Sequence, residues 1–129
     1  MKPSQLLAAT LIFSGMAMAE DCSKAQTQSE MLICADKDSR ATDKALNTLY
    51  GELLRRYEPK YQVLLKDAER RWIAYRDAEC RFETAATEDG SIHPMAYAQC
   101  ITAKTKARIT ELTAQRDCAE GDFSCNKPQ

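Results

Sequence analysis

Six cysteines and a single histidine carry most of the chemical scope of this 129-residue chain. Cys22, Cys34, Cys80, Cys100, Cys118 and Cys125 could serve as thiolate ligands, as nucleophiles or as disulfide halves. A structural zinc site draws on closely spaced cysteine and histidine ligands, whereas here His93 is the lone histidine and no Cys-x-x-Cys pair occurs. The chain also has no His-Glu-x-x-His, no triad that could form around one histidine, and no glycine-rich phosphate loop. The expectation is a protein that is not an enzyme, with no metal and no cofactor. Its cysteines then read as disulfides in a short exported chain.

Export is read from the first 19 residues. Lys2 precedes an apolar stretch from Leu6 to Met18, and Ala17 and Ala19 form a small-residue cleavage signal, so a secretory leader cut after Ala19 is expected. The stretch is too short and interrupted for a good membrane span, and no cysteine stands at the junction to take a lipid. A periplasmic or secreted protein without stable membrane insertion follows. Without Lys2, 17 of the 18 basic residues remain against 19 acidic ones, a net charge of −2. No basic run marks a nucleic-acid surface, and charges of alternating sign suit solvated helix faces. This length accommodates one domain.

Three long helices organise the rest. Thr27 and Glu30 form a capping box that starts the first. Apolar residues then recur at Met31, Ala35, Thr42, Ala45, Leu46, Leu49, Leu53 and Tyr57, and Glu58-Pro59 ends it. A second stripe runs through Tyr61, Leu64, Leu65, Ala68, Trp72, Tyr75 and Cys80, with Lys66, Glu69, Arg70 and Asp77 assigned to its wet face. Residues 88–93 read as a turn and Pro94 as the first turn of a third helix, with a weaker stripe through Tyr97, Ile101, Thr105, Arg108 and Leu112. The fold class is all-α: an antiparallel bundle of helices over about 28–57, 60–86 and 94–116, stapled by disulfides, with residues 117–129 as a closed tail.

Short connections make sequential helices antiparallel. Facing positions should have numbers adding to roughly 117 across the first turn and roughly 180 across the second. That register sets Cys80 opposite Cys100 and leaves Cys118 to pair with Cys125. Cys22 with Cys34 completes the set, although Cys34 with Cys80 competes for the same partners. It also gathers Asp43, Asn47, Trp72, Arg76 and Arg108 at one level. An ion pair from Asp43 to Arg76 or Arg108 beside the indole would form a structural polar layer. A catalytic use of Asp43 would need a second carboxylate or a nucleophile there, and the register supplies neither.

The runs Thr27-Gln28-Ser29-Glu30-Met31 to Cys34-Ala35, Asp43-Lys44-Ala45-Leu46-Asn47-Thr48-Leu49-Tyr50 and Arg71-Trp72-Ile73-Ala74-Tyr75-Arg76-Asp77-Ala78-Glu79-Cys80 resemble the LprI-type lysozyme inhibitor domain family. Gly90-Ser91, Cys100, Thr105, Arg108 and Leu112 continue the pattern to about Leu112. The resemblance implies an exported, helical, disulfide-bonded domain whose protein partner is a lysozyme. The chain departs from the founding lipoprotein in lacking the lipid-attachment cysteine, and its Cys118–Cys125 tail lies outside the shared pattern.

An inhibitor of such a hydrolase has to fill a cleft that carries two carboxylates. Asp89, Ser91 and His93 in the second turn form one candidate contact, because His93 can donate to a carboxylate. An ordinary interhelical turn accounts for the same residues. Glu120, Asp122 and Phe123 form the other candidate, in a loop that its disulfide would pre-organise. A staple against fraying accounts for that loop equally well. The function expected is inhibition of a peptidoglycan hydrolase such as lysozyme. The alternative is a periplasmic adaptor or envelope-stress module with another protein partner.

Overall fold

The computed structural model describes residues 21–119 and 121–126. The expected leader (1–19), Glu120 in the tail loop and the last three residues lie outside the described part. Three helices dominate: α1 (Gln28–Arg56), α2 (Pro59–Glu83) and α3 (His93–Arg116). Short 3-10 turns occupy Cys22–Lys24 and Ala85–Thr87, and the described residues contain no strand.

The local chemistry of the ends explains these limits. At the start of α1, Thr27 Oγ1 accepts from the Glu30 N–H, while the Glu30 carboxylate accepts from the N–H groups of Gln26 and Thr27. Three backbone N–H donors are satisfied in return for one fixed turn. Pro59 sits in the first turn of α2, where its missing N–H costs nothing. α2 stops at Glu83, three residues before the expected end at 86. There the Thr84 hydroxyl and N–H both turn back onto the Cys80 carbonyl, at 2.6 and 3.1 Å, and residues 85–87 tighten into the separate 3-10 turn.

Both expected registers are present. Across the first turn Arg76 meets Asp43 and Gln62 reaches the Leu54 carbonyl; across the second, Glu69 meets Arg108 and Cys80 meets Cys100. The closest packing, however, is between α1 and α3. These run parallel, since Lys106 pairs with Asp38 and Arg116 with Glu52 at a nearly constant offset. Ala35, Thr42, Thr102 and Thr105 are buried along them, and side chains this small allow two helices a close approach. Thr102 Oγ1 has no partner among the described residues.

Larger residues fill the other half of the bundle. Leu46, Leu49, Leu53, Tyr57 and Leu112 form the buried cluster, with Tyr50, Tyr61, Leu65, Trp72 and Ile109 packed against it. Several expected core positions are not in it. Met31 and Ala45 of α1 are exposed, as are Leu64, Ala68 and Tyr75 of α2, which turns only a narrow side inwards and buries just Glu69 and Cys80. So small a core leaves a chain of this size dependent on covalent staples. Cys22–Cys34 ties the N-terminal turn to α1, Cys80–Cys100 clamps α2 to α3, and Cys118–Cys125 closes the tail, with Cα separations of 5.6, 5.7 and 6.2 Å. The competing Cys34–Cys80 bridge is not formed.

Candidate functional site

Halfway along the bundle, Trp72 stands between two guanidinium groups, with Arg76 at 5.3 Å and Arg108 at 5.7 Å from the indole centroid. Both distances allow cation–π attraction. The carboxylates around them differ from expectation. Asp43 lies 3.9 Å from Arg76 and accepts a 3.2 Å hydrogen bond from Asn47, but its side chain is 54% exposed. Arg76 has a nearer partner in Asp77, at 2.9 Å, and reaches Thr105 Oγ1 at 3.5 Å.

Arg108 bonds instead to Glu69, through both Nε and a terminal nitrogen at 3.0 Å. Glu69 is 6% exposed. It is thus the buried acid of the layer, whereas its charge had placed it on the wet face. Arg108 also holds the exposed Glu111 at 2.9 Å. The signal for Glu69 was available in its spacing, because positions 65, 69, 72, 76 and 80 form one helical stripe and 69 faces 108 in the second register. The layer therefore contains a second carboxylate, and Glu69 has its charge matched by Arg108. Buried, paired and hydrogen-bonded, it does the work of positioning two helices.

The two candidate contact loops occupy opposite ends of the bundle, separated by the length of α3, about 36 Å for 24 residues. In the first, His93 belongs to the opening turn of α3 and is half-buried. Its Nδ1 is hydrogen-bonded to Thr87 Oγ1 at 3.0 Å and its ring lies 6.2 Å from Tyr97. The Ser91 hydroxyl accepts from the Gln28 amide at 3.1 Å, tying this turn to the start of α1. Asp89 remains exposed. The Ser91 hydroxyl and His93 Nδ1 are thus engaged within the fold.

At the far end the tail loop folds back onto the helices. Tyr57 Oη donates to the Asn126 carbonyl at 3.0 Å, and the Asn126 N–H donates to Gln115 Oε1 at 3.0 Å. Gly121 turns the chain at φ +82°, a conformation that glycine adopts without a Cβ penalty. The Asp122 carboxylate accepts from the Ser124 hydroxyl and N–H at 2.6 and 2.8 Å, and these bonds hold its pKa below the usual aspartate value. Cys118, Asp122 and Cys125 bring their ligand atoms within 4.8 Å of one another, but the two sulfurs are spent on the disulfide and offer no thiolate. Phe123 is left fully exposed. It lines a groove of about 470 Å³ together with the apolar Tyr57, Leu65 and Leu112 and the polar Arg108, Glu111 and Gln115.

The described residues form a small disulfide-stapled helical scaffold with a closed loop and a groove of mixed polar and apolar lining at one end. Its sequence belongs to the LprI lysozyme inhibitor family, whose model, "Lysozyme inhibitor LprI", matches residues 19–112. The match takes in all of α1 and α2 and most of α3, and stops before the Cys118–Cys125 loop. A relative from Rhizobium meliloti (strain 1021), described as an uncharacterised protein, is 33% identical over 131 residues, covering 91% of this chain and 94% of its own length. No solved structure matches. The family's activity gives the chain a protein partner at the family level, and the disulfides fit an oxidising compartment. No helix among the described residues is long and apolar enough to cross a membrane.

Proposed function

We propose that this protein is an exported, non-enzymatic inhibitor of a peptidoglycan hydrolase of the lysozyme class, and that it meets its target with the tail-loop end of the bundle. The family match over residues 19–112 carries the activity. The choice of end rests on exposure: Phe123 is fully in solvent beside a groove that offers both apolar and polar side chains, while His93 Nδ1 and the Ser91 hydroxyl are hydrogen-bonded within the fold. An exposed aromatic on a loop fixed by a disulfide and by Tyr57 is a suitable anchor, because little ordering entropy is lost on binding. Tyr61 and Leu65 belong to the family-matched region, so the groove combines shared helices with this chain's own tail. Asp122 beside the anchor and the net negative charge favour approach to a basic enzyme.

The test adds purified residues 20–129 to lysozyme turning over a cell-wall substrate. Inhibition at micromolar concentrations is expected, weakened by about tenfold in Phe123→Ala, the scale of a hot-spot truncation. No inhibition at micromolar excess would remove the lysozyme reading and leave the adaptor alternative. Inhibition that ignores Phe123 would move the contact away from the tail.

A further inference from the structure

The groove at the tail-loop end has two unlike walls. Tyr61, Leu64, Leu65 and Ala68 of α2 line one of them, and Arg108, Glu111 and Gln115 of α3 line the other. Positions 108, 111 and 115 repeat at the spacing of one helix face, so their polar groups stand in a row about 10 Å long. The most buried lining residues are Leu53, Tyr57 and Leu112, none above 7% exposure. Phe123 stands at the edge with its ring in solvent. A volume of about 470 Å³ is that of a small-molecule site.

The charges of this lining narrow the ligand. Arg108 is the one cation among the described lining residues, and its side chain is 14% exposed. Glu69 holds it at 3.0 Å and Glu111 at 2.9 Å. An entering phosphate or carboxylate would therefore meet two acids for one base, and like charges at close range repel. An acyl chain fits no better, because it would cover Glu111 and Gln115 and leave their polar atoms without partners. The lining suits a neutral molecule with an apolar face and a hydroxyl-bearing edge. A pyranose ring has both. Its C–H face can lie on an aromatic ring, and its neighbouring hydroxyls match the paired polar atoms of carboxylate and carboxamide groups.

We infer that this groove binds a short neutral glycan, with one sugar ring stacked on Phe123 and its neighbours hydrogen-bonded along the α3 row. The inference rests on the reading of the tail-loop end as the binding end, and adds to it a saccharide ligand, the same class of molecule that a glycoside hydrolase such as lysozyme cuts. The Cys118–Cys125 bridge and the Tyr57–Asn126 bond fix the loop that carries Phe123. The stacking platform is thus in place before a sugar arrives, which lowers the ordering cost of binding.

Residues 20–129 with the disulfides intact are titrated with the trimer of N-acetylglucosamine, without lysozyme, while backbone amide signals are followed by NMR. Saturable shifts at residues 108–115 and 121–126 are expected, with a dissociation constant of about 1 mM. Phe123→Ala should weaken binding about fivefold, the scale of one lost aromatic contact. Glu111→Ala should weaken it about threefold and leave the melting temperature near that of the parent, because Glu69 still holds Arg108. The trimer of galacturonic acid, whose rings carry carboxylates, should bind at least about tenfold more weakly. Absence of saturable shifts, shifts confined to other surfaces, tighter binding of the acidic trimer, or an affinity unchanged in both variants overturns the inference. A chain that inhibits lysozyme and binds no sugar also overturns it, and leaves the groove to a protein segment. Sugar binding by a chain that does not inhibit supports it and removes the hydrolase reading.

Discussion

At the scale of single residues, the pairing of Glu69 with Arg108 outweighs that of Asp43 with Arg76. Both are acid–arginine contacts near Trp72, but only Glu69 is out of solvent, and only its bond to Arg108 is a close two-point contact. Removing one member of a buried pair strands the other charge in a poorly solvated place. Glu69→Ala is therefore expected to destabilise the fold by roughly 3 kcal/mol, about 10 °C or more in melting temperature for a chain of this size. Asp43→Ala should cost under about 1 kcal/mol, because water screens the half-exposed acid and Asp77 still holds Arg76. Thermal melts of the two variants side by side check the ranking. Equal losses would return Asp43 to the centre of the layer.

At the scale of elements, the beginning of α1 is held by a cap that titrates. Glu30 accepts two backbone N–H bonds, from Thr27 and Gln26, which favour its charged form and lower its pKa from 4.5. A lowered folded-state pKa contributes stability that is fully present above the unfolded value and disappears as pH falls through the folded one. The melting temperature should accordingly stay flat from neutral pH down to about pH 5 and drop below about pH 4. Glu30→Gln should show a shallower acid drop than the parent. Asp21, Asp67, Asp117 and Asp122 are shifted the same way by Ser23, Arg71, Arg116 and Ser124, so the residual slope in that variant belongs to them. Thr27→Ala removes the other half of the box and should cost about 1 kcal/mol at neutral pH. The clamp between α2 and α3 is stronger: replacing Cys80 and Cys100 together should cost about 2–5 kcal/mol in so small a core.

For the molecule as a whole, rigid parallel and antiparallel helices keep the bundle's two ends apart. A hydrolase cleft seated on one end cannot also reach the other, about 36 Å away. His93→Ala is therefore expected to leave lysozyme inhibition unchanged while lowering the melting temperature slightly, because it deletes the Thr87 bond at the start of α3. Measuring inhibition and melting on the same preparation separates the two effects. Lost inhibition with an unchanged melt would place the contact at the His93 end.

Local signals determined a good deal by themselves. Thr27 and Glu30 announce the start of α1, Pro59 and Pro94 mark the starts of α2 and α3, and short turns impose the antiparallel register that brings Cys80 to Cys100. These depend on neighbours in the chain, and covalent geometry enforces them whatever the rest of the molecule does. The tertiary structure alone decided which face each helix turns inwards. Periodicity defines a stripe only to within a broad sector, and charge set Glu69 outside while its neighbours Leu65 and Trp72 pointed in. The close parallel contact of α1 with α3 pulls α2 to one side, burying Glu69 against Arg108 and leaving Leu64, Tyr75 and Phe82 in solvent. A stripe's direction is a property of three helices packed together, and no single helix carries it.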